Sequence, residues 1–143
     1  MAITSAICTS FKVEILKGVH DFTASSGNTF NLALYTSDAS LGASTTAYTT
    51  SNEVSGSGYT AKGNALTSVT PVADSTPAVC AFADTRITTA SFTARGCMIF
   101  NDSATGDPAV CVIDFGSDKT VTSGTFTIQF PAADASNAIV RIA

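Results

Sequence analysis

The alternation of apolar and polar residues predicts β-strands over most of the chain, most clearly in its last third. Within residues 125–130, Phe126, Ile128 and Phe130 alternate with hydroxyl and amide side chains. A period of two is typical of a half-buried antiparallel strand. Similar apolar segments predict strands at residues 29–35, 65–72, 78–83, 90–101, 109–115, 124–130 and 138–142.

The spacing of these segments predicts a mainly β fold, an antiparallel β-sandwich or jelly roll. Clusters of Gly, Pro, Asp and Ser predict turns at residues 73–77, 101–108, 116–119 and 132–137. A chain of 143 residues is long enough to bury one sizeable core. We therefore expect a single β-sandwich domain over residues 1–143.

Residues 1–18 have the period of a helix instead of a strand. Ile7, Phe11 and Ile15 recur at four-residue spacing and form one apolar stripe. A hydroxyl side chain at position 4 or 5 is expected to cap this N-terminal helix, with Gly18 just after its end. The stripe must be covered, either by the chain's own sandwich or by a neighbour. We expect it to be separable, so that removing residues 1–17 weakens assembly more than it unfolds the β core.

Residues 36–63 form a long polar stretch dominated by Ser, Thr, Gly and Ala. A structureless loop of this length is unusual inside a compact domain. It contains either a short helix around residues 46–52 or an excursion that contacts a partner. Its larger side chains are expected to be anchors. Together with the helix stripe they form the set of candidate interface residues: Ile7, Phe11, Ile15, Tyr48, Val54 and Tyr59.

Charge is scarce and excludes several function classes. Charged residues make up 13% of the chain, against about 25% in an average soluble domain. The net charge is −4 and the seven cations are scattered, whereas nucleic-acid binding needs clustered cations. No apolar run approaches the roughly 20 residues that span a bilayer. The start lacks the basic stretch of a secretion signal, so we expect a cytoplasmic origin, with no nucleic-acid or membrane partner.

The cysteines and oxygen-bearing side chains predict no metal or cofactor. Four cysteines are widely spaced without a C-x-x-C pair, and a cytoplasmic origin favours free thiols over the three possible disulfide pairings. The oxygen-rich residues 101–107 could surround a cation, but their spacing does not match an EF-hand. Asx-turn chemistry in a hairpin loop explains them better.

No arrangement of residues predicts catalysis. His20 is the only histidine, and Glu14 or Asp21 could in principle orient it as a general base. A nucleophile elbow of the G-x-S-x-G type is missing. The tripeptide DFG at residues 114–116 occurs without the other motifs of a kinase, and it is better explained as a strand that ends in a turn. We expect no catalytic residue.

Several segments, in one register over nearly the whole chain, resemble a family of small tailed-bacteriophage virion proteins. The resemblance lies in MAITSAICTSFK at the start, LKGVHDF at 16–22, FNLALYTS at 30–37, NEVSGSGYT at 52–60, TARG at 93–96, DFGSDK at 114–119 and GTFT at 124–127. Residues 73–89 depart most from the family pattern.

A structural role without enzymatic activity is what the resemblance implies. The first expectation is a capsid decoration (cement) protein, which stabilises the head by bridging capsid subunits. Its implied partners are the major capsid protein and copies of itself in a homo-oligomer, and its location is the virion, assembled in the host cytoplasm. A tail or neck component (adaptor, tube or baseplate part) is an alternative. A host-glycan-binding module is another, although the chain has no Trp and only three Tyr to stack on a sugar.

Overall fold

The structure, a computed structural model that describes residues 2–143, confirms the mainly β prediction. Strands make up 47% of the chain and helix 6%, in two antiparallel sheets and one short helix, which is a β-sandwich-like fold. The elements are β1 (Ala6–Ile7), α1 (Thr9–Leu16), β2 (Phe30–Tyr35), β3 (Asn64–Ala65), β4 (Ser68–Ala73), β5 (Ala78–Phe82), β6 (Thr85–Asn101), β7 (Ala109–Ile128) and β8 (Val140–Ile142).

The larger sheet has the order β1-β7-β6-β2-β3, and the smaller sheet has the order β4-β5-β8. All the strand pairs are antiparallel. Every residue of β2 is buried, because the strand lies inside the larger sheet and is covered on both faces. The helix α1 is eight residues long, and no helix in residues 2–143 is long and apolar enough to cross a membrane.

The two sheets meet through a cluster of aromatic rings. Phe22 stacks on Phe30 of β2 with ring centroids 4.3 Å apart. Phe82 of β5 lies 5.9 Å from Phe30 and 6.2 Å from Phe22. Burial of such rings dominates the stability of a small core, and tilted or offset pairs add about 0.5–1.5 kcal/mol each. The core therefore sits between the inner faces of the two sheets.

The N-terminal helix is shorter than the residues 1–18 predicted for it. Cys8 occupies the N-cap position and makes no side-chain capping bond, so the expected hydroxyl cap at position 4 or 5 is wrong. Ala6 and Ile7 instead form β1, because they pair with Val112 and Cys111 of β7. Only the C-terminal end follows the prediction.

That end is marked by Gly18, which has a φ of 74° just after the helix. A left-handed residue after a helix end is a common cap and favours glycine. Ile3, Cys8 and Phe11 all belong to the buried core. The expectation that residues 1–17 are separable from the sheet is therefore wrong, because these side chains form part of the hydrophobic core.

Strands β6 and β7 form one long hairpin, whereas the sequence pattern predicted three strands for this region. Residues 115–118 of β7 lie opposite the single residue Arg95 of β6, between the pairs Ala94–Lys119 and Gly96–Asp114. The cluster predicted as a turn at residues 116–119 is thus a bulge within a continuous strand, with a φ of 83° at Gly116. Bulges use the same permissive glycine as turns do.

The bulge also explains the DFG tripeptide. The Asp114 carboxylate accepts hydrogen bonds from the backbone N–H of Gly116 at 3.0 Å and from Nε of Arg95 at 2.9 Å. These bonds, with the Gly116 N–H contributing most, hold the pKa of Asp114 below its usual 3.8. The aspartate therefore fixes the conformation of the bulge.

Two further predictions of local structure differ from what is observed. The strand expected at residues 65–72 is divided into β3 and β4. Residues 46–52 contain no helix, and instead form turns and isolated bridges, including Ala47 with Pro108.

Candidate functional site

The polar excursion of residues 36–63 is fastened to the edge of β2. Glu53 bridges to Tyr35, and the N–H of Val54 donates to the carbonyl of Leu34 at 2.9 Å. Gly63, with a φ of 67°, passes so close to β2 that a Cβ there would collide with the carbonyl oxygen of Leu32. The excursion is therefore an ordered strap across this chain's own sheet.

The Glu53 carboxylate is the centre of the strap. One oxygen accepts a hydrogen bond from the hydroxyl of Tyr48, and the other accepts from the hydroxyl of Tyr59 and the N–H of Lys62, both at 2.8 Å. The Tyr59 hydroxyl in turn accepts from the N–H of Leu34 at 2.9 Å. A charged acceptor strengthens each of these bonds. The sequence analysis did not single out Glu53, although its position between two tyrosines in an otherwise polar stretch is a usable signal.

The tyrosines of the strap, and Tyr35 of β2 beside it, remain neutral hydrogen-bond donors at ordinary pH. Burial, and after it the hydrogen bond to Glu53, raises the pKa of Tyr48 to about 12. Burial likewise raises the pKa values of Tyr59 and Tyr35 well above 10.0. Tyr35 donates to the carbonyl of Thr49 at 2.7 Å. These hydroxyls fasten loops and are not poised as nucleophiles.

Lys62 ties the strap to the loop of the β6–β7 hairpin. Its Nζ donates to Asp102 at 2.9 Å and to Asp107 at 2.8 Å. These two bonds, Asp107 first, raise the pKa of the lysine. The same Nζ lies 5.6 Å from the ring centroid of Tyr48 and 5.9 Å from that of Phe100. The oxygen-rich loop at residues 101–107 thus contacts a lysine.

The structure places the six candidate interface residues in two groups. Phe11 and Val54 are 3% and 5% exposed, so this chain's own core covers them. The other four are half-buried and lie against the core from outside: Ile7, Ile15, Tyr48 and Tyr59. Their contact with a partner chain stays a prediction. The helix residues and the strap residues do not form one continuous set, since the strap lies along β2.

An apolar groove runs between α1 and the smaller sheet, with a volume of about 450 Å³. Ile15 and Phe11 form part of one wall, and Val79 and Ile142 form part of the other. Ile142 is 56% exposed and Leu16, next to Ile15, is 89% exposed. The predicted helix stripe therefore contributes to the groove, but it needs β5 and β8 to complete it. Sequence reasoning predicted these strands but missed their part in the groove, because their apolar residues looked like ordinary core.

His20 forms part of the groove's inner wall and is held on both ring nitrogens. Asn101 Nδ2 lies 3.1 Å from Nδ1, and the Glu14 carboxylate lies 3.1 Å from Nε2. The orientation of the Asn101 amide follows from its oxygen, which accepts from the N–H groups of Ser103 and Ala104. Nδ1 is then an acceptor, and Nε2 carries the proton that it donates to Glu14. His20 joins α1 to the hairpin loop.

The four cysteines are free and buried. Burial raises the pKa values of Cys8 and Cys80 from 9.0 to about 11, and that of Cys97 to about 12. A raised pKa and burial both suppress the thiolate that would react. Within residues 2–143, no three side chains of His, Cys, Asp or Glu come together as a metal site.

Comparison with models of known protein families, with curated proteins and with solved structures finds no match to this chain. The candidate site is therefore described by its own geometry: an apolar groove, a fastened strap and a charge-poor surface.

Proposed function

We propose that this chain is a structural component of a bacteriophage particle, in the first instance a capsid decoration protein. The observation that carries the proposal is the apolar groove between α1 and the smaller sheet. Ile142 of β8, which lines the groove, is 56% exposed, and Val13 and Leu16, on the other side of α1, extend the exposed apolar surface beyond the groove. Apolar surface of this kind marks sites of protein–protein contact.

The composition of the surface supports a role in packing against other proteins. With 13% charged residues, few charges must be desolvated when the chain meets a neighbour. The proposed occupant of the groove is an apolar segment of the major capsid protein. The chain's own net charge of −4 lies mostly away from the groove lining, in which Asp21 is the one ionised carboxylate.

The fastening of the strap also supports a passive, bridging role. Glu53, Tyr59 and Lys62 fix the long polar excursion before any partner arrives. A surface that is already ordered loses little conformational entropy on binding, so more of the contact energy appears as affinity. A protein that stabilises a shell needs this property.

We propose no enzymatic role for the chain. His20, the residue that could act as a general base, has both ring nitrogens engaged by Asn101 and Glu14. Its side chain is fully buried. A base must reach the proton it abstracts, and this ring faces its own partners.

Copy number in purified particles tests the proposal. Quantitative mass spectrometry of virions, scaled to the major capsid protein, is expected to find on the order of hundreds of copies, in keeping with shell symmetry. A ring of about six or twelve copies would instead favour the tail or neck alternative. Absence from the particle would overturn the virion assignment and would direct attention to glycan binding.

A binding experiment tests the groove itself. The variant Ile142→Asp adds a charge at a groove-lining side chain that is 56% exposed, so the fold should tolerate it. It is expected to bind particles that lack the protein at least about tenfold more weakly than the unmodified chain. Thr60→Asp adds the same charge at an exposed position on the strap and is the matched control. Equal weakening by both variants would contradict the role of the groove.

A further inference from the structure

The outer edge of β7 lacks a strand partner over most of its length. On one side β7 pairs with β6, and on the other it meets β1 only at Cys111 and Val112. The described backbone offers no other bonded segment between residues 119 and 128. A row of unpaired N–H and C=O groups is a template for another strand.

The last part of this edge, residues 124–128, carries neither a charge nor a proline that would protect it against pairing. Natural edges carry Lys, Pro or inward-pointing charges. The edge strand of the smaller sheet follows that rule, because β4 contains Pro71 and an irregular register between Val69 and Val72. On β7 an irregular register and a φ of 46° at Ser123 interrupt the edge between Val121 and Gly124. Beyond this bulge no charged residue occurs before Asp134, and the first proline is Pro131. The β7 edge is therefore open to pairing at residues 124–128.

The absence of charge on this edge, together with symmetry, makes a second copy the occupant that fits it. Each chain carries a net charge of −4, so two copies repel one another wherever their acidic surfaces meet. The uncharged edge of residues 124–128 is a place where two copies can approach without opposing like charges. An antiparallel pair of identical strands also has two-fold symmetry, so the contact closes as a dimer.

The faces of the strand are compatible with such pairing. Phe126 and Ile128 lie on the half-buried face, and Thr125 and Thr127 lie on the exposed face. In an antiparallel register that opposes residues of like parity, the apolar faces of both copies align on one side and the threonines on the other. A cleft of about 390 Å³ lies beside the strand, lined by Phe115, Phe126 and Ile128 among others. It offers space for apolar side chains of the second copy.

We propose that two copies of this chain associate through antiparallel pairing of the β7 edge, centred on residues 124–128. The inference deepens the proposed function, because it names the surface through which copies on a particle meet, and it rests on that function for its biological setting. It is tested on the isolated chain, so its failure leaves the copy number in virions unaffected. If the chain dimerises but is absent from virions, the pairing through β7 stands and the virion proposal fails.

Molecular mass in solution is the first measurement. Sedimentation equilibrium of the full chain is expected to give a mass above that of the 14.5 kDa monomer, approaching twice that value as concentration rises. A mass that stays at 14.5 kDa up to the highest soluble concentration would overturn the proposal. So would a mass that grows without limit, since an edge pairing by two-fold symmetry closes at two copies.

Charge substitutions on the edge locate the contact. Thr125→Lys and Thr127→Lys place like charges near one another across the two-fold axis, and each is expected to raise the dimer dissociation constant by about tenfold or more. Thr60→Lys, at an exposed position on the strap, is the matched control and should leave the mass unchanged. A dimer that is insensitive to both edge variants would place the contact elsewhere and would overturn the inference.

Cross-linking identifies the partner strand. In the unmodified chain the four thiols are buried, so a new exposed cysteine is the reactive one. Thr125→Cys or Thr127→Cys is expected to form an intermolecular disulfide on mild oxidation, whereas Thr60→Cys should stay monomeric on a non-reducing gel. Cross-linking of the Thr60 variant alone would contradict pairing through β7.

Discussion

Asn101 Nδ2 donates a hydrogen bond to His20 Nδ1 over 3.1 Å, and so connects the segment after α1 to the end of β6. The same amide group donates to Asn28 at 2.9 Å, and its oxygen accepts from two backbone N–H groups. Asn101 is completely buried. This one side chain thus forms hydrogen bonds with three separate segments of the fold. Its loss would leave several buried polar groups without hydrogen-bond partners.

The variant Asn101→Ala is expected to lower the free energy of unfolding by about 2–4 kcal/mol, since each buried polar group left unpaired costs about 1–3 kcal/mol. Urea denaturation followed by circular dichroism measures the change. Asn137→Ala removes exposed bonds to Asp134 and should cost less than about 0.5 kcal/mol. Equal losses of unfolding free energy for the two variants would show that the buried Asn101 network stabilises the fold no more than an exposed hydrogen bond does.

Two glycine substitutions separate backbone strain from steric collision. Gly63 and Gly106 have φ values of 67° and 84°, so alanine at either position adopts a disfavoured conformation that costs about 1–2 kcal/mol. A Cβ at Gly106 has open space around it, whereas a Cβ at Gly63 collides with the backbone of Leu32. Gly63→Ala is therefore expected to be the more destabilising variant in urea denaturation. Equal effects would mean that the strap can lift away from β2 at no cost.

Stability is expected to fall as the pH rises above about 9. The buried thiols and tyrosines have raised pKa values in the folded chain, such as about 11 for Cys80 and about 12 for Tyr48. The unfolded chain releases these protons first, near 9.0 for thiols and 10.0 for tyrosines, so the folded chain holds more protons in this range. The stabilisation that these groups contribute is thus fully present below pH 9 and is lost progressively up to about pH 12. Urea midpoints between pH 7 and pH 11 check the trend, and a flat profile would contradict it.

Tyrosinate absorbance gives a direct reading of the same effect. The chain has three tyrosines and no tryptophan, so the ultraviolet signal of ionised tyrosine is free of indole absorbance. Native protein is expected to show no tyrosinate near pH 10, and the signal should appear only as the fold is lost. The same chain in denaturant should titrate near pH 10 and serves as the control. Ionisation of all three tyrosines at pH 10 with an intact circular dichroism spectrum would refute the burial of their hydroxyls.

Thiol accessibility is expected to change completely on unfolding. In the folded chain the four cysteines are between 0% and 5% exposed, so a thiol reagent should react with none of them rapidly. Under denaturant, titration should return four thiols. Recovery of two or none in the denatured state would show that disulfides form in the protein as isolated.

The sequence was most informative where local pattern and long-range pairing agree. The predicted strand at residues 29–35 matches β2, and the one at residues 78–83 matches β5. The alternation at residues 125–128 also matches the exposure of the strand. In these places the local apolar pattern is enough to predict a strand, because each segment has at least one face that only a core can cover.

The pattern failed where a partner distant in sequence decides the outcome. Gly116 permits a left-handed residue equally well in a turn and in a bulge, and only the pairing of β7 with β6 selects the bulge. Ile7 has helical spacing from Phe11, but its pairing with Cys111 makes it part of a strand. The groove was missed for the same reason, since one wall comes from α1 and the other from β5 and β8, which are distant from α1 in sequence.

The pairing of β1 with β7 has a consequence for how the chain reaches its native state. The hairpin of β6 and β7 is closed by a short connection, so it can form quickly, whereas Ala6 must find Val112 across most of the polypeptide. Contacts between such distant positions slow folding. During synthesis on the ribosome, β1 therefore stays unpaired until β7 has been synthesised. A chaperone that binds unfolded segments would be most useful in that interval.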